Sequence, residues 1–539
     1  MSRTLDALGC LLVLIALLAP NRIGDLRPAA FLRLPVEALV GVALILAVPP
    51  RARRAAAALG GAALGVVTLV KALDLGFHAV LSRPVDPIHD WALLGPALES
   101  VRASAGRTGE ALAVAGAVGV GAGVAVLLTL SVLRSTRLVT RHRSTAVRAT
   151  AAASVVWIGC SVLGVQLAPR QPVAAAATVG DVLDHTRQVR DEWRSQHAFA
   201  ADLAVDAART TPSDRLLGGL RGKDVVVAFV ESYGRDAVED PAFSQQVGAV
   251  LDTGTRRLRA AGYGSRSAFL TSPVSGGGSW LAHATLLSGV WTDNAQRYQK
   301  LLASDHLTLN GAFKRAGWST VGMMPGVIRQ WPEGAFYDFD RVYDSRQLGY
   351  RGPRFTWARV PDQYTLSAFE HLEHAPAGRT PIMAEIPLVS SHHPWAPIPR
   401  MIGWDQLGDG SVFGPMTAAG QRPAEVWKDP ARVRVEYRRS IEYSLSSLIS
   451  YVQTYGDDDL VLVFVGDHQP MSLVTGDGAS RDVPITIVAR DRAVLDQISG
   501  WGWQDGLRPG PQAPVWRMNA FRDRFISAFS HPSADRATP

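Results

Sequence analysis

Five apolar runs crowd the first third of this 539-residue chain, and they constrain its fold more than any other feature. They lie at about 5–20, 28–48, 55–81, 111–133 and 149–168, and the fourth carries no charge at all. Segments of that length and polarity satisfy their backbone inside lipid only as helices. The runs predict a bundle of five transmembrane helices. The first is read as a retained helix rather than a signal peptide, because no small-x-small cleavage site follows it and more spans come after.

Charge in the loops gives the orientation. Arg51, Arg53 and Arg54 follow the second run, and Arg134, Arg137, Arg141, Arg143 and Arg148 follow the fourth, with no acid among them. The alternate loops carry Asp25, Asp86, Asp90 and Glu99. The positive-inside rule then puts the N-terminus in the cytoplasm and, after five spans, everything beyond about residue 168 outside. The net charge of +7 is accounted for by such loops, and no nucleic-acid-binding motif accompanies it. Both cysteines, Cys10 and Cys160, fall inside predicted spans, so the outer part must be held by its core rather than by disulfides. Within the third run Lys71, Asp74 and His78 share a helix face. The expectation there is an ion pair near the outer interface with the lysine stem snorkelling; contact with a lipid headgroup is the functional alternative.

The predicted domains are a five-helix membrane domain at 1–169, an amphipathic linker at 170–222 and an extracytoplasmic domain at 223–539. In the last, strand-like runs at 225–230, 268–270, 319–324, 381–389, 461–465 and 483–489 alternate with helical patterns at 252–261, 309–317, 432–455 and 515–529. That alternation predicts an α/β domain with a largely parallel sheet. Polar residues gather where four strands end. Glu231 and Ser232 follow the first, Gly276-Gly277-Gly278-Ser279 follows the second, Ser390-Ser391-His392-His393 the fourth, and Asp467-His468 the fifth. Ligands of open α/β sheets bind at the carboxyl ends of strands, so these clusters are expected to meet.

If they do, Glu231, Ser279, Asp467 and His468 form a mixed oxygen and nitrogen site suited to manganese, zinc or magnesium. A serine hydroxyl beside such an ion is an activated nucleophile. His392, with His393 or Arg329 as weaker candidates, is placed to steady an attacked phosphoryl or sulfuryl group or to protonate its leaving group.

The ordered set Val-Ala-Phe-Val-Glu231-Ser, glycine-flanked Ser279, Ser-Ser-His392-x-Pro-Trp and Val-Gly-Asp467-His468, behind five spans, resembles the lipoteichoic acid synthase group of the sulfatase and alkaline phosphatase superfamily. The resemblance covers nearly the whole chain. It implies an alkaline phosphatase-like catalytic domain and one divalent ion, manganese first, on Glu231, Ser279, Asp467 and His468. It also implies a phosphoserine intermediate at Ser279 and substrate contact at His392. Trp331 and Tyr337 match the group's spacing around its phosphoglycerol site, but Met324, Gly326 and Glu333 stand where that site has His, Asp and Arg. The implied activity is transfer of a phosphoglycerol- or phosphoethanolamine-type headgroup from a membrane phospholipid to an envelope glycan or lipid acceptor. Hydrolysis on the same residues, as in sulfatases and phosphatases, and a catalytically silent envelope-binding protein are the alternatives.

Overall fold

The computed structural model describes residues 2–81, 83–86, 90–168, 171–328, 331–355, 359–476 and 478–530. It divides into two compact units, 1–196 and 197–539.

The first unit is helical: α1 (Ser2–Leu18), α2 (Val36–Ala47), α3 (Pro50–Leu81), α4 (Leu94–Arg141), α5 (Arg143–Leu163) and the start of α6 (Ala177–Ala204). Among the described residues three helical stretches are long and apolar enough to cross a membrane: Pro50–Leu81, Arg107–Arg141 and Arg143–Leu163. Five were expected. The run at 28–48 is shortened because a 3-10 turn at Pro28–Leu32 and the extended pair Leu34–Pro35 consume its first third, leaving a helix of 12 residues. At 1.5 Å per residue that helix rises about 18 Å, well short of a hydrocarbon core. The apolar stretch Thr4–Leu18 of α1 falls short for the same reason.

Gly61 and Gly65, four apart on α3, let α4 approach closely. A Cβ on Gly61 would sit 2.6 Å from Thr129 Cα, and one on Gly65 2.9 Å from Ala125 Cα. This is the small-residue packing that substitutes for a hydrophobic drive between helices in lipid. Lys71 forms its ion pair with α6 rather than along its own helix face, and it does not snorkel: it is buried, and its Nζ reaches Asp181 Oδ2 (3.3 Å), Thr178 Oγ1 (3.0 Å) and the Leu17 carbonyl (3.2 Å). Asp74, also buried, accepts from the Val85 amide and lies 3.4 Å from His185 Nε2.

The second unit is built on one nine-stranded sheet. Its strands are β1 (Asp224–Val230), β2 (Gly264–Thr271), β3 (Ser319–Met324), β4 (Arg341–Asp344), β5 (Ile382–Leu388), β6 (Leu460–Gly466), β7 (Asp482–Ala489), β8 (Gln504–Asp505) and β9 (Val515–Arg517). The order is β8-β2-β7-β6-β1-β5-β3-β4, with β9 also on β2. The run from β6 to β4 is parallel throughout. β7 opposes both of its neighbours and β8 opposes β2, so the sheet is mixed rather than largely parallel. Every residue of β1 and β6 is buried, which is why both read as unbroken apolar runs.

Helices cover both faces. In chain order they include α7 (Ser244–Ala260), α8 (Ser279–Ser288), α9 (Asp362–Phe369), α10 (Pro430–Tyr455) and α11 (Ala520–Ser530). Val226, Ala228 and Phe464 turn to the core shared with α7, α9 and α10. Val225, Val227, Phe229, Val463 and Val465 turn to the core shared with α8 and α11. The helix expected over 515–529 is a strand and then a helix, because Val515, Trp516 and Arg517 complete the β2 edge before α11 begins.

Candidate metal centre

β1 and β6 lie side by side, with Val465 paired to Phe229 and Gly466 to Val230, so the residues that follow them emerge together. Gly466 makes the exit possible, since a Cβ there would overlap the Tyr233 carbonyl. Ser232 turns the other chain in the left-handed region, at φ 57°, unusual for a residue with a side chain. That strained turn points the Ser232 amide at Asp467 Oδ1 (2.8 Å), which also accepts from the His468 amide (2.7 Å). Tyr437 on α10 holds the same turn by donating to the Ser232 carbonyl (3.0 Å).

Ser279 reaches the cluster from the opposite side. Gly276, Gly277 and Gly278 carry φ of 77°, 157° and 86°, and the Gly276 amide donates to the Gln469 carbonyl (2.8 Å), which ties the glycine loop to the Asp467-His468 turn. Ser279 opens α8 directly behind Gly278. Its Oγ donates to Glu231 Oε2 (2.9 Å) and lies 3.3 Å from His468 Nε2. His468 Nε2 is 3.2 Å from Glu231 Oε1 and 3.7 Å from Asp467 Oδ2. The other ring nitrogen, Nδ1, lies 2.8 Å from the Gln469 carbonyl, which can only accept. Nδ1 therefore carries a proton, and Nε2 is the atom turned toward the carboxylates.

The donor set fits a divalent cation. Glu231, Asp467 and His468 are buried and offer ligand atoms within 4.8 Å of one another. Asp467 Oδ2, fully buried, has no hydrogen-bond partner among the described residues, an arrangement that a cation would complete. Electrostatics point the same way. Burial pushes the Asp467 carboxyl up to about 7, and Glu231 adds to the rise. Burial opposes ionisation of Glu231 too, but His468 and then His392 outweigh it and hold that carboxyl well below its usual range. Burial would lower His468, yet Asp467 and Glu231 outweigh it and lift the imidazole to about 9. Two acids in a dry site demand positive charge, and a protonated histidine meets that demand only in part.

Of the other expected site residues, His392 is turned by a bond between its Nδ1 and the His393 carbonyl (2.6 Å), and its field is felt by Glu231. His393 stacks on His392 at 4.3 Å, and burial followed by His392 lowers it to about 3, so it stays neutral at physiological pH. Trp331 is not brought to the cluster by any contact among the described residues. It stacks on Tyr337 (5.6 Å) and walls a separate cavity of about 380 Å³ with Val327 and Arg346. Arg329 lies outside the described residues.

Two serines of the expected strand-end clusters turn out to support Glu231: Ser391 Oγ donates to its carbonyl (2.6 Å) and Ser232 Oγ to its Oε1 (3.0 Å). Other supporting residues escaped sequence reasoning. Asp362, buried at the start of α9, exchanges bonds with Ser390 at 2.9 Å each, and burial lifts its carboxyl to about 6. One turn along α8 from Ser279, His283 stacks on Phe229 (3.8 Å), and its Nδ1 lies 3.2 Å from Glu385 Oε1. Glu385 is a buried acid within the apolar run of β5, and that mismatch was the one signal available for the His283 pair.

The chain matches no protein-family model, and it matches no curated protein. Solved structures similar to it include the lipoteichoic acid synthase LtaP of Listeria monocytogenes, at 15% identity and a TM-score of 0.39, covering 60% of this chain and 75% of that one. The integral membrane protein lipooligosaccharide phosphoethanolamine transferase A of Neisseria meningitidis is 12% identical at a TM-score of 0.46, with 97% and 95% covered. The phosphoglycerol transferase GacH of Streptococcus pyogenes, solved with sn-glycerol-1-phosphate, is 12% identical at 0.34, with 62% and 90% covered. Likenesses this loose say nothing of what the chain binds or turns over.

Proposed function

We propose that the chain is a membrane-anchored, metal-dependent phosphotransferase that moves a phospho-substituted headgroup, of phosphoglycerol or phosphoethanolamine type, from a phospholipid to an envelope glycan or lipid acceptor. The observation that carries the reading is the convergence of Ser279 Oγ, Glu231 Oε2 and His468 Nε2 beside the unpartnered Asp467 Oδ2. Glu231, Asp467, His468 and Ser279 would hold one divalent ion, manganese first, with zinc or magnesium as alternatives. Bound there, the ion supplies the positive charge that eases loss of the serine proton and offsets charge on the attacked phosphoryl oxygens.

Ser279 Oγ, half-buried at the head of α8 and fixed by Glu231, is presented as the nucleophile. It attacks phosphorus as its proton passes to Glu231 Oε2, the oxygen to which it donates, and the bond from phosphorus to the diacylglycerol oxygen breaks. His392, whose Nδ1–H is held by the His393 carbonyl, gives that oxygen a proton from Nε2. The acceptor hydroxyl then attacks the phosphoseryl group and returns a proton to His392, and Ser279 leaves, recovering its own proton from Glu231. Neutral His393, stacked behind His392, keeps the ring in place. We place the chain in the cell membrane with its N-terminus cytoplasmic, residues 1–169 as a five-helix domain, 170–222 as linker and 223–539 as the extracytoplasmic catalytic domain.

The test is the purified full chain with manganese, zinc or magnesium and phosphate-labelled phosphatidylglycerol or phosphatidylethanolamine, wild type beside Ser279→Ala. Label that appears on the wild-type peptide containing Ser279 and chases to an added glycan or lipid acceptor is the expected result. Chase to water would replace transfer by hydrolysis, and the absence of both label and bound metal would leave a silent envelope protein.

A further inference from the structure

The edge of the sheet that carries β8 and β9 holds an aromatic cluster unconnected with the metal centre by any contact described above. Trp501, Trp503 and Trp516 pack in a triangle with ring centroids 5.0, 5.1 and 5.3 Å apart. The Arg524 guanidinium lies 4.2 Å over the Trp516 ring, which holds it flat, and no carboxylate pairs with it among the described residues. Trp501, alone of the three, lines an open concavity of about 510 Å³ together with Gln497 and, from α11, Asp523, Arg524, Ser527 and Ala528. Trp503 Nε1 is buried with no hydrogen-bond partner among the described residues.

From this combination we infer that the concavity is a saccharide-binding site. An indole wall with a few fixed polar groups suits a ligand that has one apolar face and a rim of hydroxyls. A pyranose has that form: its C–H face lies against an aromatic ring, while adjacent hydroxyls pair with planar forks such as Arg, Asp and Gln. The volume is in the range of small-molecule pockets. Tryptophans with arginine also mark bilayer interfaces, but there the rings stand out as exposed tips. Here Trp503 is buried and Trp501 and Trp516 are half-buried; Trp501 is the indole that walls the hollow, and Trp503 and Trp516 hold it from behind.

The site does not depend on chemistry at Ser279. The probes are linear glucose, mannose and galactose tetrasaccharides, titrated calorimetrically against the full chain in lipid nanodiscs. At least one should bind, Trp501→Ala and the exposed Arg524→Ala should each weaken it about tenfold, and Ser279→Ala should bind as wild type does. Failure of all three sugars, or unchanged binding by both pocket variants, overturns the inference. So does quenching by bromine-labelled lipid that disappears in Trp501→Phe, which would make this face a bilayer contact.

Discussion

Strand β1 has a buried carboxylate at each end, Asp224 at its start and Glu231 just past its finish, and each is joined by a second acid and a histidine. At the start, Arg379 forks onto Asp224 at 2.7 and 2.6 Å, the Ile382 amide adds a third bond, and Glu370 Oε2 accepts from Tyr451 and faces His374 Nδ1. At the finish no arginine pairs with the acids among the described residues. Glu231 has two serines, Ser279 and Ser232, and a histidine, and Asp467 keeps an oxygen with no partner among them. The two sets contain similar groups, yet only the second gathers its ligand atoms as a metal site requires, among the described residues. Among the described residues, the carboxylates at one end of the strand are matched by an arginine and a tyrosine, and at the other one carboxylate oxygen keeps no partner.

That contrast can be broken from either side. The largest effect expected is Ser279→Ala, which should lower turnover by about 10⁶-fold, the scale of losing a serine nucleophile, while the ion is still bound, though more weakly, by the three ligands that remain. Next is Arg379→Met at the opposite end. It strands Asp224 and should cost about 3 kcal/mol in denaturant melts, the lower part of the range for a broken buried pair because Arg379 is 23% exposed. Its metal content should not change. Chelation should matter at the other end only: stripping an ion present at a thousand times its dissociation constant should remove about 4 kcal/mol from wild type.

The smallest effect is on pH dependence. Burial lowers the His374 pKa, but the bond to Glu370, then the charges of Glu370 and Asp224, outweigh it and leave it raised. A raised histidine contributes stability in full below its unfolded value and loses it as pH climbs through the folded value. Urea melts should therefore show stability falling as pH rises from about 6.5, and His374→Gln should flatten that slope. At the metal centre the raised His468 predicts a different signature. Binding an ion below about pH 9 should release a proton, so apparent metal affinity should rise with pH.

Much of this was legible because β1 and β6 are buried on both faces and announce themselves as valine runs, which located Glu231, Asp467 and His468 at strand ends. Ser279 was marked by its three glycines, whose positive φ angles the loop uses. The direction of β7 was not legible, since an apolar run reads the same either way. Nor was the left-handed turn at Ser232, which depends on tertiary bonds to Asp467 and Tyr437. The short α2 was missed because a hydropathy run does not register the backbone break at Leu34–Pro35. Trp331 was placed by spacing alone, and the cavity it lines with Val327 and Arg346 was not legible in the sequence.

The central claim is that the unpartnered Asp467 oxygen belongs to a cation. Elemental analysis of the purified full chain, Asp467→Asn and Arg379→Met tests it most directly. One divalent ion per chain in wild type and in Arg379→Met, with at least about a hundredfold weaker retention in Asp467→Asn, is the predicted result. Equal metal in wild type and Asp467→Asn, or none in either after loading, would contradict it.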